Sequence, residues 1–185
     1  NYDSKNSSIL KDTSNYELTG AIALTNTLPL IRYNKSFKET LIPKMMLRYG
    51  PGHMRNMSAE GLSLNYNNLF NLNKIANIDT IENGSSLVLG TEYDLDFKKN
   101  NHSLSLDIGQ MFNIDKNENM PTTSSLQNKS SELVGTLGYN FDLKKNNSIN
   151  YNFSADSNYD TINYHGINGK FKINNFAANF DYVED

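Results

Sequence analysis

Apolar and polar side chains alternate along much of this chain. In the segment 101–113, Leu104, Leu106 and Ile108 are separated by single polar residues, and the segment 131–143 repeats the pattern. Successive side chains of a β-strand point to opposite faces, so a period of two is typical of strands. The helical period of 3.6 residues is weak almost everywhere. The pattern therefore predicts an all-β protein.

The alternation divides the chain into eight long strands and no substantial helix. Only a short helix is expected, within the segment 67–83. Strands that pair with their sequence neighbours form an antiparallel up-and-down meander. The predicted strands are 18–30, 41–49, 87–97, 101–113, 131–143, 149–153, 167–173 and 176–182.

The connections between the strands are of two kinds. Because Asn tolerates a positive φ, tight hairpin turns are expected where Asn is frequent between strands. These turns are predicted at Asn34–Phe37, Lys98–Asn101, Lys144–Asn147 and Asn174–Asn175. The two long connections, 50–83 and 114–130, both fall at the opposite end of the strands. Short turns at one rim and long loops at the other are typical of outer-membrane barrels.

Strand length helps to decide whether the apolar face meets a core or lipid. The alternation itself is the same in a soluble sheet and in a membrane barrel. The segments 101–113 and 131–143 each contain 13 residues, whereas strands of soluble proteins have about 5–6 residues. A tilted strand of roughly 10–12 residues spans the apolar band of an outer membrane. The lengths favour a transmembrane β-barrel.

In such a barrel the two faces of each strand meet different surroundings. The residues expected to face lipid are Leu104, Leu106, Ile108, Leu137, Tyr139, Phe141, Tyr151 and Phe153. The polar residues expected to face the lumen are Lys44, Arg48, Glu92, Asp94, Asp96, Asp107, Glu132, Asp142, Asp156 and Asp181. An isolated charge is not stable in a dry core, so this second face requires water or a polar partner.

Composition excludes several classes of protein. The 185 residues suffice for one domain, and no apolar run reaches the 18 residues of a transmembrane helix. The absence of cysteine excludes disulfides, thiolate nucleophiles and Cys-based zinc sites. The net charge is −3, with Lys and Arg spread along the chain, which gives no nucleic-acid-binding surface.

The sequence contains no convincing catalytic or metal-binding pattern. His53, His102 and His165 are far apart and never at metal-ligand spacing. No G-x-S-x-G nucleophile elbow is present, although Ser is plentiful enough to leave a Ser/His/Asp hydrolase open. We therefore expect no catalytic, cofactor-binding or metal-binding residue, with a barrel hydrolase as the enzymatic alternative.

Three segments, in order, resemble the barrel domain of the LptD family of LPS-assembly proteins, also called organic solvent tolerance (OstA) proteins. The first is LIPKMMLRYGPGHMR at 41–55. The second comprises Asn68-Leu69-Phe70, IDTIENG at 78–84 and Leu89-Gly90. The third is SLDIGQMF at 105–112. With the spacing between them, the resemblance covers the chain from about Gly20 onward.

The resemblance implies that residues 1–185 are part of a large outer-membrane β-barrel domain, with strands from about 17 to 182. The signal peptide, the periplasmic jellyroll and the terminal barrel strands of the family are not expected in this chain. The implied location is the outer membrane of a Gram-negative bacterium.

The implied function is that of a component of the lipopolysaccharide translocon, which inserts LPS into the outer leaflet. The implied partners are lipopolysaccharide, the lipoprotein plug LptE, the periplasmic bridge protein LptA through the jellyroll, and the lipids of the outer membrane. No step makes or breaks a bond, so the resemblance implies neither an enzyme nor a cofactor. Two alternatives stay open: another outer-membrane barrel, such as a porin-like channel or a hydrolase, and a soluble β-sandwich binding module.

Neighbouring residues on opposite faces test the assignment of the faces. Arg at Leu106 should cost about 2–4 kcal/mol near the bilayer midplane, because a lipid-facing charge is poorly solvated there. Arg at Asp107 should cost much less. The measurement is the free energy of unfolding of each variant of the full barrel in lipid vesicles. Equal costs at the two positions would contradict the assignment.

Overall fold

The structure is a computed structural model that describes residues 19–75, 80–99, 101–142 and 147–184. These residues contain β1 (Ile22–Thr27), β2 (Leu30–Tyr33), β3 (Phe37–Gly50), β4 (Gly84–Phe97), β5 (His102–Asn113), β6 (Leu133–Asp142), β7 (Asn147–Ala155), β8 (Ile162–Ile173) and β9 (Phe176–Glu184). The helices are α1 (Tyr66–Leu69) and a 3-10 helix (Thr123–Ser125). Neither has the length or the apolar run needed to cross a bilayer.

The strands form one antiparallel sheet in the order β1-β3-β4-β5-β6-β7-β8-β9, with β2 also paired to β3. From β3 onward each strand pairs with its sequence neighbour. The predicted all-β antiparallel meander is therefore confirmed. Within the described residues, β1 and β9 are the two edges and do not pair with each other.

The first predicted strand is interrupted at Pro29. Thr27 lies opposite Lys44 and Leu30 lies opposite Leu41, so β1 and β2 share one register along β3. A proline has no N–H to donate to the ladder, which explains the break. The described part of the chain therefore has nine strands where eight were predicted, because the first is interrupted and continues past its predicted end at Leu30 as β2.

Asn residues form the hairpin turns as predicted. Asn101 and Asn174 both have a φ of 53°, the left-handed conformation that such turns require. At the turn that begins at Asn34, its N–H donates to the carbonyl of Phe37 at 2.9 Å. The fourth predicted turn, Lys144–Asn147, lies outside the described residues except for its last member, Asn147.

The two long connections fold back over one face of the sheet and form the hydrophobic core with it. We call this face the loop-covered face and the opposite one the bare face. Four strand residues contribute to the core from the loop-covered face: Met46, Val88, Met111 and Val134. The connections contribute Met54, Met57, Leu64, Tyr66, Leu69, Ile75, Met120 and Leu126. This core occupies the end of the sheet from which the connections leave, which we call the loop half; the other end is the hairpin half.

Helix α1 is short and is positioned by hydrogen bonds at its own N-terminus. The side chain of Asn65 accepts from the backbone N–H of Asn68 at 3.1 Å, and the side chain of Asn68 accepts from the N–H of Asn65 at 2.9 Å. This reciprocal capping box satisfies two donors that a helix start leaves unpaired. It fixes the direction in which the helix presents Leu69, which is fully buried.

Two glycines provide the space that α1 occupies. Gly90 and Gly109 lie opposite each other in β4 and β5. A Cβ at Gly109 would lie 2.5 Å from Cδ2 of Leu69, and a Cβ at Gly90 would lie 2.9 Å from Cζ of Phe70. No side chain fits between the sheet and the helix at these positions. We call this pair the glycine socket.

The glycine socket predicts a steric cost for a single added methyl group. Gly109→Ala should lower the free energy of unfolding by about 1–3 kcal/mol, because the core around Leu69 is already filled. Gly61→Ala is the matched control, since a Cβ there meets nothing within 4 Å. The unfolding midpoint of the full-length protein in detergent measures both changes. An equal midpoint for the two variants would show that the socket is not tightly packed.

Candidate functional site: the two faces of the sheet

The register places the predicted lipid-facing residues together on the bare face. Leu106 lies opposite Leu137, which lies opposite Tyr151, and the same face holds the remaining members of the set. Large apolar side chains are exposed there on strands from one edge of the sheet to the other: Leu24, Leu47, Leu89, Leu137, Ile167 and Phe180. The bare face is therefore a continuous apolar surface, larger than the scattered apolar residues normal for a soluble monomer.

The predicted lumen-facing residues lie mostly on the loop-covered face. This holds for Lys44 and Arg48 in β3, for the acids of β4 and β5, and for Asp181 in β9. Glu132 directly precedes β6, and Asp142 ends β6 beside a β-bulge. The set therefore extends along the whole loop-covered face, from β3 to β9.

Asp156 has a different position from the rest of that set. It lies in the turn between β7 and β8, where its carboxylate accepts hydrogen bonds from the N–H groups of Asn158, Asp160 and Thr161. Desolvation alone would raise the pKa of Asp156, but these donors favour the charged form and lower it overall. The side chain shapes the turn rather than the wall of the sheet.

The loop half contains a buried cluster of two cations and one carboxylate. Arg48 and Lys74 are each 3% exposed. Arg48 Nη1 and Lys74 Nζ both lie 3.4 Å from Oε1 of Glu82. The Arg48 guanidinium also donates to the carbonyls of Leu72 and Glu82, so the strand is joined to the connection 51–83 on both sides of the carboxylate.

Among the described residues of this cluster, two positive charges share one negative charge, and this affects the pKa of Lys74. Its ammonium lies within ion-pair distance of Glu82 but shares that carboxylate with Arg48. Desolvation lowers the pKa of Lys74, the attraction of Glu82 opposes this, and the repulsion of Arg48 adds to it. Burial of a second cation thus has a cost that the single carboxylate does not remove.

Lys44 and Glu92 form an ion pair at the boundary between the loop half and the hairpin half. The ammonium of Lys44 lies 5.9 Å from the ring centroid of Tyr66 and 5.8 Å from that of Phe70. These are cation–π distances. The aromatic rings of the loop core therefore contact the charged side chain of Lys44 at this boundary. Desolvation and the neighbouring Glu92 raise the pKa of Tyr66, whose hydroxyl donates to Oε1 of Glu92 at 3.4 Å.

Beyond this boundary the loop-covered face is acidic. Asp94, Asp96 and Asp107 lie in the hairpin half, with Asp96 at 3.8 Å from the ammonium of Lys38. The hydrophobic core leaves this part of the face uncovered, since all of its strand members lie in the loop half. Chemically, the hairpin half offers a polar surface that water or a polar partner can solvate.

Polar groups on the bare face bond mainly to one another. Arg32 and Glu39 form an ion pair, and the hydroxyl of Tyr93 donates to Glu39 at 3.2 Å. Gln110 is buried, and the hydroxyl of Tyr159, in the turn after β7, donates to its side-chain oxygen at 2.7 Å. Pairing of this kind lowers the cost of polar atoms on an apolar surface.

The three histidines do not come together. His102 bonds to the hydroxyl of Tyr139 at 2.7 Å and His165 to that of Tyr151 at 2.6 Å, both on the bare face. His53 is exposed in the connection after β3. Within the described part of the chain, no group of three or more His, Asp or Glu side chains is arranged to hold a metal ion.

A polar and loop-covered face opposite an apolar bare one is thus the geometry of this sheet. A family model for LptD, described as LPS transport system D, matches residues 2–184. The chain belongs to the LptD family. Among curated proteins, none matches the chain. Members of the LptD family transport LPS at the outer membrane and are transport components rather than enzymes.

The three segments that resemble the LptD family contact one another in the fold. Gly50, from the first segment, approaches the carbonyl of Glu82 from the second, where a Cβ would lie only 2.4 Å away. Leu69 from the second segment fills the space at Gly109 from the third. The resemblance therefore follows the contacts between the loop core and the sheet.

The sequence pattern predicted that the whole loop-covered face is polar. It missed the apolar core residues in the loop half of that face. The signal was present as short apolar runs in which both faces are apolar, such as 45–47 and 87–89. A strand that is apolar on both faces is typically covered on both. Met46 and Val88, at the centres of these runs, are fully buried beneath the connections in this LptD-family chain.

The buried cluster predicts a pH-dependent stability that depends on Lys74. The pKa of Lys74 is lower in the folded protein than its ordinary value of 10.5. At pH values in the window between the folded pKa and 10.5, Lys74 is therefore more protonated in the unfolded chain than in the folded protein. The free energy of unfolding should then rise with pH through that window. We expect the unfolding midpoint of the wild type, relative to Lys74→Met, to increase from about pH 7 to about pH 10.

The control for this measurement is Lys170→Met, which removes an exposed ammonium from β8. Its midpoint should remain parallel to that of the wild type over the same range. Parallel curves for Lys74→Met and the wild type would mean that Lys74 titrates as it does in the unfolded chain.

Proposed function

We propose that this chain is part of the wall of the lipopolysaccharide translocon and takes part in inserting LPS into the outer leaflet of the outer membrane. The single observation that supports this most is the division of the sheet into an apolar bare face and a polar, loop-covered face. The match to the LptD family, described as LPS transport system D, supports LPS as the transported substrate.

The two faces suit the two parts of an amphiphilic substrate. The bare face, which includes Leu106, Leu137 and Tyr151, contacts acyl chains of the membrane. The loop-covered face borders the hydrated lumen through which the saccharide part passes. No side chain has to form or break a bond, because the separation of polar and apolar surroundings directs the substrate.

The proposed partners are lipopolysaccharide, LptE, LptA and the outer-membrane lipids. LptE lies in the lumen against the hairpin half, where Asp94, Asp96 and Asp107 are not covered by the loop core. A polar plug with bound water satisfies these carboxylates. LptA acts through the periplasmic jellyroll of the family, outside this barrel segment.

The other functions that the sequence left open have less support. A soluble β-sandwich covers its apolar face with a second sheet, whereas the strands in the described ranges form a single sheet. A porin-like channel has a water-filled lumen, whereas the long connections here pack on the loop half of the polar face.

Depletion of the full-length protein in its own cells tests the proposal. Newly made LPS is labelled on its sugars, and the fraction that reaches the surface is measured with a membrane-impermeant reagent. Surface LPS should fall on depletion, while an unrelated outer-membrane protein still reaches the surface. Unchanged surface LPS would refute the translocon function, and a loss of small-solute uptake instead would favour a porin-like channel.

A further inference from the structure

A cleft of mixed polar and apolar lining lies between the long connections and the loop-covered face of β6–β8. It consists of two adjacent cavities of about 380 and 210 Å³ whose linings share Ser63 and Tyr164. The larger volume falls at the lower end of the roughly 300–1,000 Å³ typical of small-ligand sites. Of its lining residues, Asn65 also forms the capping box of α1.

Glu132 lines the larger cavity and is only 8% exposed. Its carboxylate accepts from the hydroxyl of Ser154 and, at 2.7 Å, from the side-chain amide of Asn163. The ion pairs formed within the described residues do not include Glu132. A carboxylate has about four acceptor positions, so Glu132 can accept further hydrogen bonds from a ligand O–H or N–H group.

Tyr164 supplies an aromatic surface beside that carboxylate. A Cβ at Gly166 would lie 2.7 Å from the Tyr164 hydroxyl and 3.1 Å from its Cε1, so the ring lies across Gly166. The ring can do this only because residue 166 has no side chain. Tyr164 also lines both cavities, so the part of the ring that is not against the sheet borders the cleft.

The rest of the lining combines neutral hydrogen-bonding side chains with the apolar residues Leu62, Leu64 and Phe153. Asn65 and Asn67 face the smaller cavity from the connection, and Thr136 and Asn152 face it from the sheet. Neither lining includes Lys, Arg or His. A phosphate or carboxylate ligand is favoured by such cations and repelled by the Glu132 carboxylate, whereas hydroxyl and amino groups are matched by amides and a carboxylate.

We infer that this cleft is a saccharide subsite. Hydroxyl or amino groups of a sugar donate to Glu132, and an apolar face of the sugar ring packs on Tyr164. The inference rests on the proposed function, in which the saccharide part of LPS passes along the loop-covered face. It adds the position of a binding step and the residues that determine it.

The test uses the full-length protein in detergent and a phosphate-free oligosaccharide released from the LPS of the same cells. Calorimetric titration measures the Kd. Glu132→Gln should weaken binding about tenfold or more, because the acceptor loses its charge and one of its two oxygens becomes an NH2 donor. Tyr164→Ala should weaken it similarly, and Tyr164→Phe should retain most of it because the ring is kept. Glu118→Gln, which makes the same change at an exposed carboxylate in the connection after β5, outside both cavity linings, should leave the Kd unchanged.

Heat-modifiable mobility on gels shows that each variant is folded before it is titrated. The inference is overturned if the wild type does not bind the oligosaccharide, or if Glu132→Gln and Tyr164→Ala bind as tightly as Glu118→Gln. A photocrosslinker at Asn67 that captures a polypeptide in place of the sugar would also overturn it.

The outcomes separate this inference from the proposed function. Surface LPS that depends on the protein, with no oligosaccharide binding by the wild type, refutes the subsite and keeps the translocon. Oligosaccharide binding that the cleft variants weaken, with surface LPS that does not depend on the protein, keeps the subsite and refutes the translocon.

Discussion

The contact of Leu69 and Phe70 with the glycine socket is the interaction on which the loop half depends. Gly90 and Gly109 leave the sheet surface without side chains at the point where α1 meets it. With α1 held there, the connection 51–83 is fixed at a point far from both of its ends. The remaining methionines and leucines can then fill the space between that connection and the strands, which gives a closely packed core.

That packing also decides where charges can lie. In the loop half, Arg48 and Lys74 are removed from water and share Glu82, so the connection carries the counter-charge that the strand needs. In the hairpin half, neither long connection covers the sheet with its described residues, and carboxylates such as Asp94 and Asp107 depend on their surroundings for solvation. The ion pair of Lys44 with Glu92 lies at the boundary between the buried charges of the loop half and the carboxylates of the hairpin half.

The bare face, in contrast, is mostly apolar. Its large side chains are apolar from β1 to β9, and its few polar groups mostly bond to one another, as Gln110 does with Tyr159. A surface of this kind is more stable against lipid when its polar atoms are paired with one another. Under the proposed function, the same sheet therefore serves as a membrane surface on one side and as the wall of a polar path on the other.

The sequence by itself determined the strands, their antiparallel order and the division into two faces, because a period of two assigns each side chain to a face independently of the rest of the fold. It also located the turns, since Asn at 101 and 174 adopts a conformation that few other residues accept. The tertiary structure alone decided that residues 51–75 and 114–132 cover the polar face. Contacts such as Leu69 with Gly109, or Glu82 with Arg48, join residues that are 34 to 40 positions apart. No local pattern specifies such pairs, because they depend on packing between segments that are distant along the chain.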